Sequence, residues 1–346
     1  MKFLIAAAGT GGHVFPGLEF CSACLKQNHE VVWVGTKNGM EKEKVSAKEI
    51  SFFTLPMSGF RGKGIPSKLI SIIGLVSSIF KGVILLVRNK VNYVVCFGGY
   101  ISLPIGIAAI ICRKKLILHE QNTVIGSSNR LLTKFANIVF LGMPLTSNHD
   151  KNMQLVGNPI TSKIVSDTFH KDSDLLRIYI TGGSLGSEFI NKNIPSALSS
   201  LEIPILIRHQ SGMNKSNGVK DLYSSDISVD VQEFYDTPSE NILWSDFVIC
   251  RAGALTLSEV TSLKRGCVMI PLPSAIDNHQ RENAKHIENL NMGIIFEESE
   301  PASSLKEKLQ TIVEQKKFIA WQNSQDSIDH FQAAERMLSS VLAITK

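Results

Sequence analysis

The stretch "AAAGTGGHVFPG", residues 6–17, closes the apolar run that begins at Phe3 and opens a helical pattern. An apolar strand that ends in glycines and turns at once into a helix is the first βα turn of a Rossmann-like unit. There, backbone N–H groups approach an anion at the helix N-terminus. As a dinucleotide loop it is poor. The GxGxxG pattern needs a third glycine at position 14, which is Val14, and an acid at the end of the second strand, where "VVWVGTKNG" has Gly35 and Thr36. An NAD-binding reading is therefore weak. His13 stands at or near the helix start, where the dipole favours the neutral ring. Facing a cleft, it can take a proton from a hydroxyl; facing inward, it only bonds backbone.

Outward from this turn, short apolar runs alternate with amphipathic segments along the whole chain. Strands are expected at 3–7, 31–35, 52–55, 93–97, 116–119 and 138–141. A polar stretch with Asn-Pro, residues 156–174, breaks the pattern and reads as a linker. A second series follows, with strands expected at 177–181, 205–209, 229–234, 247–250, 268–271 and 294–296, and helices at 187–199, 255–264, 280–290 and 303–315. The halves echo one another: "VVCFGGY" (94–100) resembles "VICRAGA" (248–254), and "AAAGTGG" (6–12) resembles "YITGGSLG" (179–186). The fold class is α/β: two Rossmann-like parallel-sheet domains, residues 1–160 and 161–329, with ligands expected in a cleft outside the strands' carboxyl ends. A last helix, about 330–346, is expected to pack back on the first domain.

Composition sets the limits. The chain has 346 residues, 44% hydrophobic and 19% charged, an ordinary globular balance. A net charge of +5 is too small and too dispersed to imply nucleic acid, but suits a phosphorylated substrate or an anionic membrane surface. Six cysteines are present; Cys96, Cys250 and Cys267 lie in or beside apolar runs, as buried reduced thiols do. Cys21 and Cys24 form a CxxC with no second ligand pair nearby, so they are expected to pack one helix face. No secretory leader or convincing membrane span is read, which places the protein in the cytoplasm. The most apolar stretch, residues 69–87, carries Lys81 and interrupting serines and reads as a helix that is largely buried or lies at an interface.

The other glycine turns also carry polar groups. "GGYISLP" (98–104) suits an anion or close helix packing. "HEQN" (119–122) puts four polar side chains at a strand end, suited to a polyhydroxylated or pyrophosphate ligand or to a plain polar loop. "GGSLGS" (182–187) lacks the GK[ST] of a Walker loop; Ser184 can cap the following helix or bond a phosphate. In "CRAGALTLSE" (250–259) a helix start suits a diphosphate. Glu259, one turn in, suits ribose hydroxyls or merely balances the dipole. Asp277, Asn278, His279, Gln280 and Asn283 bunch at another helix start and suit sugar hydroxyls.

Taken in order, "GTGGHVFPG", "SGFRGKGI", "GGYIS", "HEQN", "GNP", "GGSLGS", "HQSG", "EFY", "CRAGALTLSE" and "DNHQ" resemble the MurG family over about residues 1–300. The resemblance implies a GT-B fold and transfer of N-acetylglucosamine (GlcNAc) from UDP-GlcNAc to the MurNAc C4 hydroxyl of undecaprenyl-pyrophosphoryl-MurNAc-pentapeptide, an inverting step of peptidoglycan synthesis. By the same resemblance, Ser184 contacts the diphosphate and Tyr235 meets uracil through its backbone. Ala254, Leu255, Thr256, Leu257 and Ser258 form the helix-start diphosphate site. Glu259 holds ribose and Gln280 the GlcNAc hydroxyls. Thr10, Gly11, Gly12, Asn122 and Thr161 are further UDP-GlcNAc contacts; Thr10, Gly11, Gly12, His13, His119, Glu120 and Asn122 also line the acceptor side and the cleft, and Gly98, Gly99, Tyr100 and Arg61 touch the acceptor. His13 is the first candidate base, with Glu120 and His119 as rivals. Two positions depart from the family: Thr161 stands where an arginine is frequent, and Leu103 where a glycine is common.

No cofactor and no metal are called for, since no DxD-like motif ends a strand. The lipid acceptor implies contact with the cytoplasmic face of the membrane, through residues 65–87 with Arg61, Lys63, Lys68 and Lys81. Two other classes stay open: a related UDP-GlcNAc 2-epimerase or lipid glycosyltransferase, and a non-catalytic sugar-nucleotide binder.

Overall fold

A computed structural model of the protein describes residues 1–46, 48, 50–56, 65–147, 150–161, 175–201 and 203–344, the side chains of 65–71 excepted. The chain forms two compact units, Met1–Ile160 with Asp329–Lys346, and Thr161–Ile328.

In the first unit β1 (Lys2–Ala6), β2 (Glu30–Gly35), β3 (Ser51–Thr54), β4 (Tyr93–Cys96), β5 (Lys115–Glu120), β6 (Ile138–Leu141) and β7 (Met153–Leu155) make one sheet in the order β3-β2-β1-β4-β5-β6-β7. Every pairing is parallel. The connections carry α1 (Gly11–Lys26), α2 (Glu41–Ser46), α3 (Ile65–Arg88), α4 (Ser102–Ile111) and α5 (Ser127–Leu132). A parallel sheet covered on both faces needs strands that are apolar throughout, and alternate residues serve opposite faces. Phe3 and Ile5 of β1 join Val31 and Trp33 in one core, and Leu4 and Ala6 join Val32 and Val34 in the other.

The second unit repeats the plan. Its strands are β8 (Leu176–Thr181), β9 (Ile205–Gln210), β10 (Ser228–Gln232), β11 (Phe247–Cys250), β12 (Gly266–Met269) and β13 (Gly293–Ile295), in the order β10-β9-β8-β11-β12-β13. All are again parallel. The helices are α6 (Glu188–Leu198), α7 (Pro238–Trp244), α8 (Ala254–Ser262), α9 (His279–Asn289), α10 (Ala302–Glu314) and α11 (Lys317–Asn323). The last helix, α12 (Ala333–Ala343), belongs to the first unit. Its Met337, Leu338 and Val341 are fully buried in one core with Val14, Leu18 and Cys21 of α1.

In each sheet the strand order reverses once, between β1 and β4 and between β8 and β11. The loops leaving such a pair diverge to opposite faces and leave a crevice at the carboxyl ends. The pairs end level, with Ala6 opposite Cys96 and Thr181 opposite Cys250. Both crevices are floored by the glycine turns that the sequence singles out.

Three local features differ from or sharpen the sequence reading. The edge strand β7 was not expected, because Met153–Leu155 is short and half outside, with Leu155 47% exposed. Cys21 and Cys24 are fully buried, and burial pushes the Cys21 thiol up to about 12, which suits packing and not redox work. Helix α3 buries Leu85 and Leu86 but leaves Ile72, Ile73, Val76, Phe80, Ile84 and Val87 exposed along one face. It is thus a half-covered helix, and no described helix is long and apolar enough to cross a membrane.

Candidate active site

The crevice of the first unit is built around His13. Helix α1 starts with Thr10 in an extended conformation, without a side-chain cap and without an acid in its first turn. The positive end of the helix is therefore unopposed. Thr10 Oγ1 lies 3.4 Å from His13 Nδ1 instead of capping the helix. From the neighbouring strand end, Gly98 (φ +94°) brings its backbone under the ring: a Cβ there would lie 2.9 Å from His13 Cδ2 and 3.0 Å from Nε2. Only glycine combines that backbone conformation with that approach. Gly99 and Tyr100 continue the same turn, with Tyr100 against Gly9 and hydrogen-bonded to Thr36. Burial raises the Tyr100 hydroxyl above its ordinary value.

An acid also closes the end of β2, from an unexpected place. Glu41 at the start of α2 is fully buried, and its Oε1 accepts the Thr36 N–H at 2.7 Å and the Thr36 hydroxyl at 2.6 Å.

The crevice of the second unit is lined by two turns. Helix α8 begins at Ala254 after Gly253, an extended N-cap with no side-chain cap, and no acid stands in its first turn. A Cβ on Gly253 would meet nothing within 4 Å, so the approach to the helix start is open. Beside it, Gly182–Ser187 turns tightly. At Gly186 (φ +66°) a Cβ would lie 1.9 Å from Ser211 O, so this loop is locked against the end of β9. The side chain of Glu259, partly open to solvent, makes no hydrogen bond or ion pair among the described residues. Desolvation pushes its carboxyl up to about 7. A carboxylate without a cation at the edge of a crevice is suited to hydroxyl donors. Further round, Asp277 (φ +52°) and Asn278 (φ +55°) are consecutive left-handed residues that aim the start of α9.

Residues 3–141 match the glycosyltransferase family 28 N-terminal domain and residues 177–337 its C-terminal domain. The chain is 37% identical over 310 residues to a UDP-N-acetylglucosamine--N-acetylmuramyl-(pentapeptide) pyrophosphoryl-undecaprenol N-acetylglucosamine transferase of Psychrobacter cryohalolentis, covering 86% of each. The crystal structure of Acinetobacter baumannii MurG superposes with a TM-score of 0.83 at 30% identity, covering 99% of both chains. The chain belongs to the MurG family. A Listeria monocytogenes protein described as a UDP-N-acetylglucosamine 2-epimerase shares the fold alone, at a TM-score of 0.69 and 13% identity.

Membership of the MurG family fixes the GT-B fold, while several expected contacts are revised by where the side chains lie. His119 is fully buried with Nε2 on Gly157 O at 3.2 Å, and burial lowers its ring to about 4. Glu120, 2% exposed, accepts from Asn122 N–H and Nδ2 at one oxygen and from Gly126 N–H and Asn129 Nδ2 at the other. Both side chains are engaged within the fold, Glu120 around the "HEQN" loop and His119 on Gly157. Leu257 and Ser258 face the interior and are fully buried, and the Leu257 N–H is already bonded to Gly253 O. The N–H groups of Ala254, Leu255 and Thr256 precede that bond at the start of α8. The cap of α6 is Ser187, which accepts the Ile190 N–H, and not Ser184, which stays exposed for a ligand. The Tyr235 N–H donates to Gln210 Oε1 at 3.1 Å and is spent. Gln280 Oε1 accepts the Leu272 N–H at 2.9 Å.

Arg61 and Lys63 lie outside the described residues, as does the side chain of Lys68. Thr161 closes the described part of the junction, and Leu103 is partly buried on α4. Among the described residues, no three His, Cys, Asp or Glu side chains converge on a metal-sized site. Sequence reading missed Glu41, Asn129 and Gln210. Each is a polar residue whose partner is distant in the chain, or sits in a turn whose shape is not legible in advance.

Proposed function

We infer that this chain is an inverting hexosyltransferase that moves GlcNAc from UDP-GlcNAc to the C4 hydroxyl of MurNAc in undecaprenyl-pyrophosphoryl-MurNAc-pentapeptide. The observation that carries the reading is the pair of uncapped, acid-free helix starts at the switch points of two parallel sheets. One stands beside a histidine and the other beside an unpaired glutamate. A transferase joining two pyrophosphate-bearing substrates needs two such anion sites.

The roles follow from the chemistry of each group. Ala254, Leu255 and Thr256 N–H groups, with Ser184, take the donor diphosphate and stabilise the charge that grows as UDP departs. Glu259 accepts from the ribose hydroxyls. Gly11 and Gly12 N–H groups serve the acceptor pyrophosphate, with Gly98, Gly99 and Tyr100 around the sugar. With Nδ1–H directed at Thr10 Oγ1, His13 Nε2 holds the lone pair that removes the C4 hydroxyl proton. The exposed apolar face of α3, flanked by Lys81, Arg88 and Lys90, rests on the anionic cytoplasmic leaflet where the acceptor lipid resides.

The test is transfer of labelled GlcNAc from UDP-GlcNAc to a short-chain lipid acceptor. Product is expected with the parent chain and about 10²–10⁴-fold less with His13→Ala. UDP-GlcNAc epimerisation without acceptor, or binding without transfer, would overturn the assignment. Near-normal turnover of His13→Ala would remove only the base.

A further inference from the structure

The turn that seats His13 is held at both ends from neighbouring strand ends. Leaving β4, it passes against the imidazole at Gly98 and Gly99, where a Cβ would lie 2.9 Å from His13 Cδ2 and 3.4 Å from Nδ1 respectively. On the β5 side, Gln121 Nε2 donates to Phe97 O and the Ser102 hydroxyl to Gly98 O, both at 2.6 Å. On the other side the turn ends in Tyr100, whose ring lies against Gly9 and whose hydroxyl is hydrogen-bonded to Thr36 at the end of β2. Thr36 is held in turn by Glu41, whose Oε1 accepts both its N–H and its hydroxyl. The bonds thus cross four strand ends in sheet order, β2-β1-β4-β5. Glu41 is fully buried, and its Oε2 meets no donor among the described residues. Gly39 closes over it so tightly that a Cβ there would collide with both carboxylate oxygens. Burying a carboxylate with one idle oxygen costs stability, so its retention asks for a use.

We propose that Glu41 is a positioning residue for the base: by fixing Thr36 it anchors Tyr100, and so keeps the Gly98–Tyr100 turn pressed against the His13 ring. This rests on the reading of His13 as the base. Glu41 acts through Thr36 and Tyr100 and not by contact with the ring. Without it, Thr36 loses both partners, the far end of the turn is released, and the ring gains orientations that are unproductive for proton removal.

The full chain is isotopically labelled at its nine histidine rings, and the His13 signal is the one absent from His13→Ala in the NMR spectrum. Transfer from UDP-GlcNAc to the short-chain lipid acceptor is measured on the same proteins. Thr36→Val keeps the N–H bond to Glu41 and removes only the link to Tyr100. Thr36→Val and Glu41→Ala should each move the His13 signal, leave those of His29 and His330 in the same unit in place, and lower kcat about 10- to 100-fold at an unchanged KM for UDP-GlcNAc. Glu41→Gln, whose amide oxygen still accepts, should rescue most of both readouts. The Glu41→Ala, Thr36→Val double variant should lose no more than Glu41→Ala, because the two residues act in series. Thr36→Val carries the test if Glu41→Ala does not fold. Parent-like turnover in these variants overturns the proposal. So does a loss of turnover with the His13 signal unmoved, or with the His29 and His330 signals displaced alongside it, which would make Glu41 a scaffold residue of the whole unit. Normal turnover of His13→Ala overturns the base reading instead, and is told apart because the His13 signal is still displaced in Glu41→Ala.

Discussion

At the scale of single residues, Glu259 is the group whose chemistry is most sharply set by its surroundings. Desolvation raises its carboxyl to about 7 with no cation to oppose the shift. Two hydroxyl donors favour the ionised form, so donor binding should pull this proton off near neutral pH. UDP-GlcNAc is the right probe, because its diphosphate diester has no proton to lose in that window. Calorimetry at pH 7 in buffers of different ionisation enthalpy should show proton release on UDP-GlcNAc binding, and affinity should climb as pH rises from 6 to 8. Glu259→Gln should abolish both effects and bind more weakly at pH 8. The same shift has a stability consequence of definite sign. Between the usual carboxylate range and about 7 the folded chain holds more protons than the unfolded one. Stability therefore falls as pH rises through that window. The Gln variant should melt higher than the parent at pH 8, by a margin that shrinks toward pH 5; a margin constant with pH would mean that Glu259 titrates normally.

At the scale of elements, the turns matter more than the strands they follow. Gly98→Ala places a methyl 2.9 Å from the His13 ring at a φ of +94°. The strained backbone costs about 1–3 kcal/mol, and a displaced base costs about 100-fold in kcat. The KM for UDP-GlcNAc should stay put, since the donor turns are elsewhere; a raised donor KM would move Gly98 out of the acceptor site. Helix α3 gives a second element-level outcome. Ile73 and Phe80 are 65% and 67% exposed, so Ile73→Ser with Phe80→Ser should leave the melting temperature alone while releasing the protein from anionic vesicles in co-sedimentation. Undiminished retention would place the lipid contact on another surface.

Those elements also show what a sequence can disclose. Twelve of the strands are legible as apolar runs: most are buried on both faces, and the exposed edges β3 and β10 still carry aromatic or β-branched residues, whereas β7, an exposed edge of three residues, has no such run. The strand-end glycines were legible because positive φ and close approach leave few other choices. The polar side chains were not. Glu120 and Ser258 look like ligand groups in the sequence but are used up inside the fold. Glu41 fills the position at the end of β2 where "VVWVGTKNG" shows no acid, because a helix start brings it back five residues later. Which carboxylate serves the scaffold and which serves the substrate depends on pairings that no local spacing encodes.

At the scale of the molecule, each unit has a core of its own, and the chain's end is part of the first. Met337, Leu338 and Val341 of α12 are fully buried with α1, the helix that carries His13. The first unit is therefore completed by residues that follow the whole second unit in the chain. Leu338→Ala should cost about 2–5 kcal/mol, and all of it should fall on the first unit. Calorimetric scans should show this as a lowered transition for the first unit with the second unit's transition unmoved. Saturating UDP-GlcNAc does the reverse: at 100-fold over its Kd a ligand adds about 2.7 kcal/mol to the unit that binds it. In the parent and in Leu338→Ala alike, UDP-GlcNAc should lift only the second transition, while transfer to the lipid acceptor falls in the variant as the first unit loosens. A single transition that both perturbations move together would mean that the two cores melt as one. The anion sites would then be coupled through stability and not only through the sugar they exchange.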